Sequence, residues 1–85
     1  MNEKNFRIFY GKYIRKQRSM QNLLQEEVAH KMGISVDALS RIERGLNSPS
    51  FNSSLLLEKL LQLDHQYILQ EFENYYVDPD EPYED

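Results

Sequence analysis

The side chains in this chain that could do chemistry are arginines, lysines and amides rather than nucleophiles. There is no cysteine, and the only two histidines, His30 and His65, lie far apart without the spacing of helical metal ligands. They read as surface histidines. No serine has a histidine and an acid at useful spacing. The acidic C-terminal run lacks the spacing of a calcium loop, and three scattered glycines make no phosphate cradle. Neither catalysis, nor a metal, nor a cofactor is expected. What remains is charge, and it is unevenly spread. Residues 1–60 hold all ten Lys and Arg against six acids, a net of +4, whereas residues 61–85 hold eight acids and no Lys or Arg, a net of −8. These sum to the chain's −4. Screening limits charge to a reach of about 8–10 Å, so local rather than total charge decides whether phosphate is attracted.

The elements that must position these groups centre on Gln25 to Gly45, QEEVAHKMGISVDALSRIERG. Val28 and Met32 are four apart and stack on one helix face, and Leu39 and Ile42, three apart, do the same on a second helix. Ala29 is small where a second helix must cross closely. Gly33 can take the left-handed conformation that ends a helix, and Ser35 can cap the next one. Two helices on so short a turn form a helix-turn-helix, whose second helix can enter the major groove of DNA. Ahead of it, a first helix starting near Asn2 or Asn5 is expected to bury Phe6, Phe9, Tyr10, Tyr13 and Ile14. After Gly45 and a loop at Leu46–Pro49, Ser50 or Asn52 should open a leucine-rich fourth helix with Leu55, Leu56, Leu57, Leu60 and Leu61. Those leucines exceed one face, so some should meet the last helix or a second subunit. Asp64 can cap a fifth helix, over about 65–76, with Tyr67, Ile68, Leu69, Phe72, Tyr75 and Tyr76 as its apolar positions. The predicted fold is all-α, one domain over 1–77, with an acidic disordered tail or linker start at 78–85. A core this small predicts a stability on the order of 5 kcal/mol.

From about Tyr10 to Leu63 the chain resembles the DNA-binding domain of the lambda and 434 phage repressors and the bacterial Xre-type regulators. The likeness lies in YGKYIRKQR, in the helix-turn-helix closed by SRIERG, and in Asn47-Ser48-Pro49-Ser50 before the leucine-rich helix. It implies a compact five-helix domain and double-stranded DNA as partner. By position it makes Val36, Asp37 and Arg41 base-facing, with Ser40 beside them. An arginine there can bridge guanine O6 and N7, and Val36 can pack on a thymine methyl. The alternative for Arg41 is a phosphate contact or a solvated surface arginine. Asp37 either accepts from cytosine N4 or simply favours the first turn of its helix. Gln25, Ser35, Arg44, Asn47 and Ser48 form the phosphate set, joined by Arg15 and Lys16. Arg18 and Glu43 resemble a family pair tying the first helix to the end of the third; the alternative is two independent surface charges. Ala29, Gly33, Leu39 and Ile42 hold the shape. Three positions depart from the family pattern: Asn22 for Gly, Leu24 for a capping Ser or Thr, and Gln17 for Leu.

The likeness further implies a regulator, in the first place a repressor, binding a near-palindromic operator as a homodimer through its fourth and fifth helices. Two alternatives stand beside this. The chain could be the N-terminal part of a longer ligand- or peptide-sensing regulator, or an antitoxin or anti-repressor that uses the fold to bind protein. The polar start MNEKNFR predicts no signal peptide, and no stretch approaches the roughly 18 apolar residues of a membrane helix. A cytoplasmic location without membrane contact is expected.

Overall fold

The computed structural model describes residues 2–75, which form five helices: α1 (Asn2–Met20), α2 (Gln25–Met32), α3 (Val36–Glu43), α4 (Phe51–Leu61) and α5 (His65–Tyr75). Tyr76 and the acidic segment 78–85 lie outside the described residues. Helix α1 already includes Asn2, so Asn5 lies inside it and does not cap it. Ser35, Ser50 and Asp64 open the three later helices as expected. Ser35 Oγ accepts from the Ala38 N–H at 3.0 Å, Ser50 Oγ from Ser53 at 3.2 Å, and Asp64 Oδ1 from Gln66 at 3.0 Å. Leu24 has no acceptor to offer at the start of α2. Only the return half of a capping box exists there, with the Leu24 N–H donating to Glu27 Oε1 at 2.9 Å.

Helices α1 to α4 end by one device. Asn22, Gly33, Gly45 and Gln62 all have positive φ, between 54° and 74°. In each case the following N–H reaches back to the carbonyl five residues earlier: Leu23 to Arg18, Ile34 to Ala29, Leu46 to Arg41 and Leu63 to Glu58. This closes the helix and, at three of the four, returns an apolar residue to the protein: Leu63 is buried and Leu23 and Ile34 half-buried, whereas Leu46 stays exposed. Asn22, Gly33 and Gly45 carry a sequence signal for it. Gln62 does not, and accepts a left-handed conformation that costs a non-glycine residue roughly 1–2 kcal/mol.

The core is built from Ile14 of α1, Val28, Ala29 and Met32 of α2, Leu39 and Ile42 of α3, and Leu57 and Leu61 of α4. Tyr10, Leu63 and Ile68 close its edge. Ile14, Val28, Leu39, Leu57 and Leu61 are almost wholly buried, each contributing about 1.5–3 kcal/mol of transfer free energy. Burial and the neighbouring Glu58 carboxylate push the Tyr10 phenol up to about 12. Helix α5 lies along α1 through aromatic rings. Phe6 meets Phe72 edge-on at 5.2 Å, Tyr67 meets Tyr13 at 5.1 Å, and Tyr75 stacks on Phe9 at 5.7 Å. The Tyr13 hydroxyl also accepts from the Asp64 N–H at 2.9 Å, fixing the turn into α5. The fourth-helix leucines divide as their number requires: Leu57 and Leu61 are buried and Leu60 half-buried, while Leu55 and Leu56 stay exposed.

Two glycines let α1 pass close to the end of α3. A Cβ on Gly11 would collide with the carbonyl oxygens of Ile42 and Glu43, backbone atoms that cannot rotate away. A Cβ on Gly45 would lie 2.8 Å from the Ile8 Cα. Gly11→Ala therefore gains about 1 kcal/mol of helix propensity but meets an overpacking penalty of about 1–3 kcal/mol or more. The expected outcome is a net loss of about 1–2 kcal/mol and a melting temperature lower by roughly 5–15 °C in a thermal scan. An unchanged or higher melting temperature would mean that α1 slides off α3 at little cost.

Candidate nucleic-acid interface

Helix α3 has two unlike faces. Leu39, Ile42 and Glu43 are buried, and Val36, Asp37, Ser40, Arg41 and Arg44 project from the other side. At about 100° per residue those five positions fall within an arc of roughly 140°. Val36, Asp37, Arg41 and Arg44 are exposed and Ser40 half-exposed, so the arc is open to a partner. The turn Gly33–Ser35 sets its orientation. Gly33 takes φ 72° and Ser35 the extended conformation of a cap, so α3 leaves α2 at once. An added Cβ on Gly33 would meet nothing within 4 Å, so its conformation, not space, is what calls for glycine.

What holds α3 in place is a carboxylate. The Glu43 side chain is 2% exposed and that of Arg18 is 12% exposed. Arg18 forks onto it, Nε donating to Oε2 at 2.7 Å and Nη2 to Oε1 at 3.0 Å. The third arginine nitrogen, Nη1, donates to the Leu23 carbonyl at 2.8 Å. Gln25 Nε2 donates to Glu43 Oε1 at 2.9 Å, bringing in the first residue of α2. One carboxylate thus links α1, the loop after it, α2 and α3. The pair expected from the family pattern is therefore a buried fork and not two independent surface charges. No buried side-chain polar atom among the described residues lacks a partner, so the network is complete.

Beside the fork lies a shallow notch lined by Arg15, Arg18, Leu24, Gln25, Glu26, Val36, Ser40, Glu43 and Arg44. It brings five of the expected contact residues together: Arg15, Gln25, Val36, Ser40 and Arg44. Ser35 stands at the α3 entrance with its hydroxyl occupied as a cap. The others lie elsewhere. Lys16 lines a groove between α1 and α5, with Phe9, Tyr13 and Tyr67. Asn47 and Ser48 line a third groove with Phe6, Tyr10 and Phe51. Asp37 and Arg41 form an ion pair one helical turn apart, Arg41 Nε donating to Asp37 Oδ2 at 3.0 Å. At such exposure the pair adds only about 0.3–0.5 kcal/mol of stability. Leu24 and Glu26 in the notch were not foreseen as lining residues; Leu24 departs from the usual capping type and signals nothing about a ligand.

Removing one member of the buried fork strands the other. Arg18→Met is expected to lower stability by about 3–5 kcal/mol in urea titration, close to the whole margin of a domain this size. Arg18→Met with Glu43→Leu should recover much of that loss, because no charge is then left buried without a partner. If the double variant is no more stable than the single one, burial of an unpaired carboxylate is not the source of the loss.

A family model for the helix-turn-helix matches residues 13–68, which span the C-terminal part of α1 and all of α2 to α4 and reach into α5. No curated protein and no solved structure matches the chain. No described helix is long and apolar enough to cross a membrane. The match covers the notch, the buried fork and the exposed arc of α3 together, so the chain belongs to the Xre-type, lambda-repressor-like helix-turn-helix family of DNA-binding transcription regulators.

Proposed function

We propose that this regulator is a sequence-specific repressor that lays α3 in the major groove and blocks a promoter by occupying it. The observation that carries this reading is the exposed arc of Val36, Asp37, Ser40, Arg41 and Arg44 on a helix whose opposite face is locked to the core. Such a helix can meet base edges without giving up any packing. Arg41 is assigned to a guanine and Val36 to a thymine methyl. Arg44 and Arg15 flank the notch and suit phosphates on either side of the groove. The Gln25 amide has its second N–H and its oxygen still to offer, at the N-terminal end of α2, where the helix dipole favours an anion. Asn47, Ser48, Lys16 and Ser35 complete the proposed backbone contacts.

One domain covers half an operator. A homodimer on a near-palindromic site follows, with half-sites about one turn, roughly 34 Å, apart. Its proposed interface is the apolar surface that α4 and α5 leave uncovered, where Leu55, Leu56 and Leu69 are exposed.

Selection of random duplexes by the purified protein, repeated at several salt concentrations, is expected to enrich a motif with two inverted halves. Arg41→Ala should then weaken the selected site by about 1–3 kcal/mol and relax one base position. Arg44→Ala should weaken all sites alike and reduce the salt slope by about 1. Failure to enrich any motif, or to bind even at low salt, would overturn the reading in favour of a protein-binding role. For the dimer, Leu56→Asp with Leu69→Asp should abolish cooperative occupation of paired half-sites in a gel-shift titration while a single half-site still binds. Undiminished cooperativity would move the interface elsewhere.

A further inference from the structure

The Asp37–Arg41 ion pair sits where a negative charge is least welcome. Asp37 is on the face proposed to approach DNA, its side chain 72% exposed, and phosphates would repel it. Its geometry gives it a use. Arg41 Nε donates to Asp37 Oδ2 at 3.0 Å, and Nη1 and Nη2 make no hydrogen bond to any described residue. A guanidinium can take up a two-acceptor partner side-on, through Nε and one Nη, or end-on, through both Nη atoms. With Nε held by the carboxylate the side-on approach is closed and only the end-on fork remains, on a side chain that is 50% exposed. The guanine O6 and N7 pair fits that fork, whereas thymine offers one acceptor there and cytosine presents a donor. The carboxylate also repels the phosphate oxygens that would otherwise draw a long, free arginine away from the bases, and it limits the rotamers that Arg41 must give up on binding.

Resting on the proposed DNA-binding role, we infer that Asp37 is a positioning residue for base readout. It holds Arg41 in the end-on orientation and so sets the guanine preference at one operator position, at the expense of overall affinity. The i, i+4 spacing makes the pair a local property of α3, present before DNA arrives. The second carboxylate oxygen, Oδ1, accepts no hydrogen bond from a described residue, and Asp37 is exposed on the face proposed to approach DNA. An amino group on a neighbouring cytosine or adenine is the chemistry it could accept.

The experiment uses the whole chain and four duplexes that differ only in the base pair opposite Arg41 within the selected site. Wild type, Asp37→Asn, Arg41→Ala and the double variant are titrated against each, after circular dichroism has shown all four folded. For Asp37→Asn the expected result is equal or tighter binding to the three non-guanine duplexes, with the guanine preference reduced about 3–10-fold. In the Arg41→Ala background the same change should leave the already lost preference where it is. In the free protein, the Arg41 Nε–H resonance should move on Asp37→Asn while the backbone amides of α1 and α4 do not. If Asp37→Asn tightens all four duplexes by one factor and keeps the guanine preference, Asp37 is only a repelling charge and the inference is wrong. Absence of any site-specific binding by the wild type would instead bring down the proposed function itself.

Discussion

The buried carboxylate of Glu43 is the interaction on which the rest of this molecule depends. It is the one buried charged side chain among the described residues, and it sits on the last turn of α3, where the helix that faces outward must be fastened. Desolvating a carboxylate is expensive, and only a full set of donors offsets it. Arg18 supplies two and Gln25 a third, and Arg18 spends its remaining nitrogen on the Leu23 carbonyl. The angular relation of α1, α2 and α3 is thereby fixed by directional bonds, which apolar packing alone would leave looser. Gly11 belongs to the same junction, since a Cβ there would collide with the carbonyl oxygens of Ile42 and Glu43.

Rigidity at the back of α3 allows its front to be polar and open. The arc from Val36 to Arg44 gives nothing to the core, so its side chains are free to be chosen for what they contact. The Asp37–Arg41 pair illustrates this. It is too exposed to matter for stability, and it joins two side chains of the open face to each other and not to the core. The charge pattern of the chain has the same logic. A net charge of −4 would disfavour a polyanion if it were spread evenly, but the basic residues all lie within the first sixty positions and eight acids lie beyond them.

The C-terminal part of the fold is held differently. Among the described residues, helix α5 lies along α1 by ring-on-ring contact and the turn-fixing Asp64–Tyr13 hydrogen bond, His65 at its start pairs with Glu58 of α4, and Ile68 is its one buried residue. Phe51, Leu55, Leu56, Tyr67, Leu69 and Phe72 keep substantial apolar surface in water. A small domain has too little core volume to cover so many large side chains, and that surplus is what the proposed second subunit would use.

The sequence by itself determined the number and order of helices, because apolar spacing, caps and left-handed stops are local effects written in adjacent residues. Val28 with Met32, Leu39 with Ile42, Ser35, Ser50, Asp64, Gly33 and Gly45 could all be read that way. For α3, the spacing of Leu39 and Ile42 marked the inward face, and the likeness to the family marked Val36, Asp37 and Arg41 as outward. The tertiary structure decided what depends on atoms distant in the chain. It put Gln25 on Glu43, sent Asn47 and Ser48 to a groove apart from the notch, and required Gly11 by the approach of a backbone more than thirty residues away. It also stopped α4 at Gln62, a residue with no intrinsic preference for the left-handed conformation it adopts there. The Asp37–Arg41 pair stands between the two. Its spacing was visible in the sequence, but which nitrogen of the guanidinium the carboxylate holds is a matter of geometry that spacing does not contain.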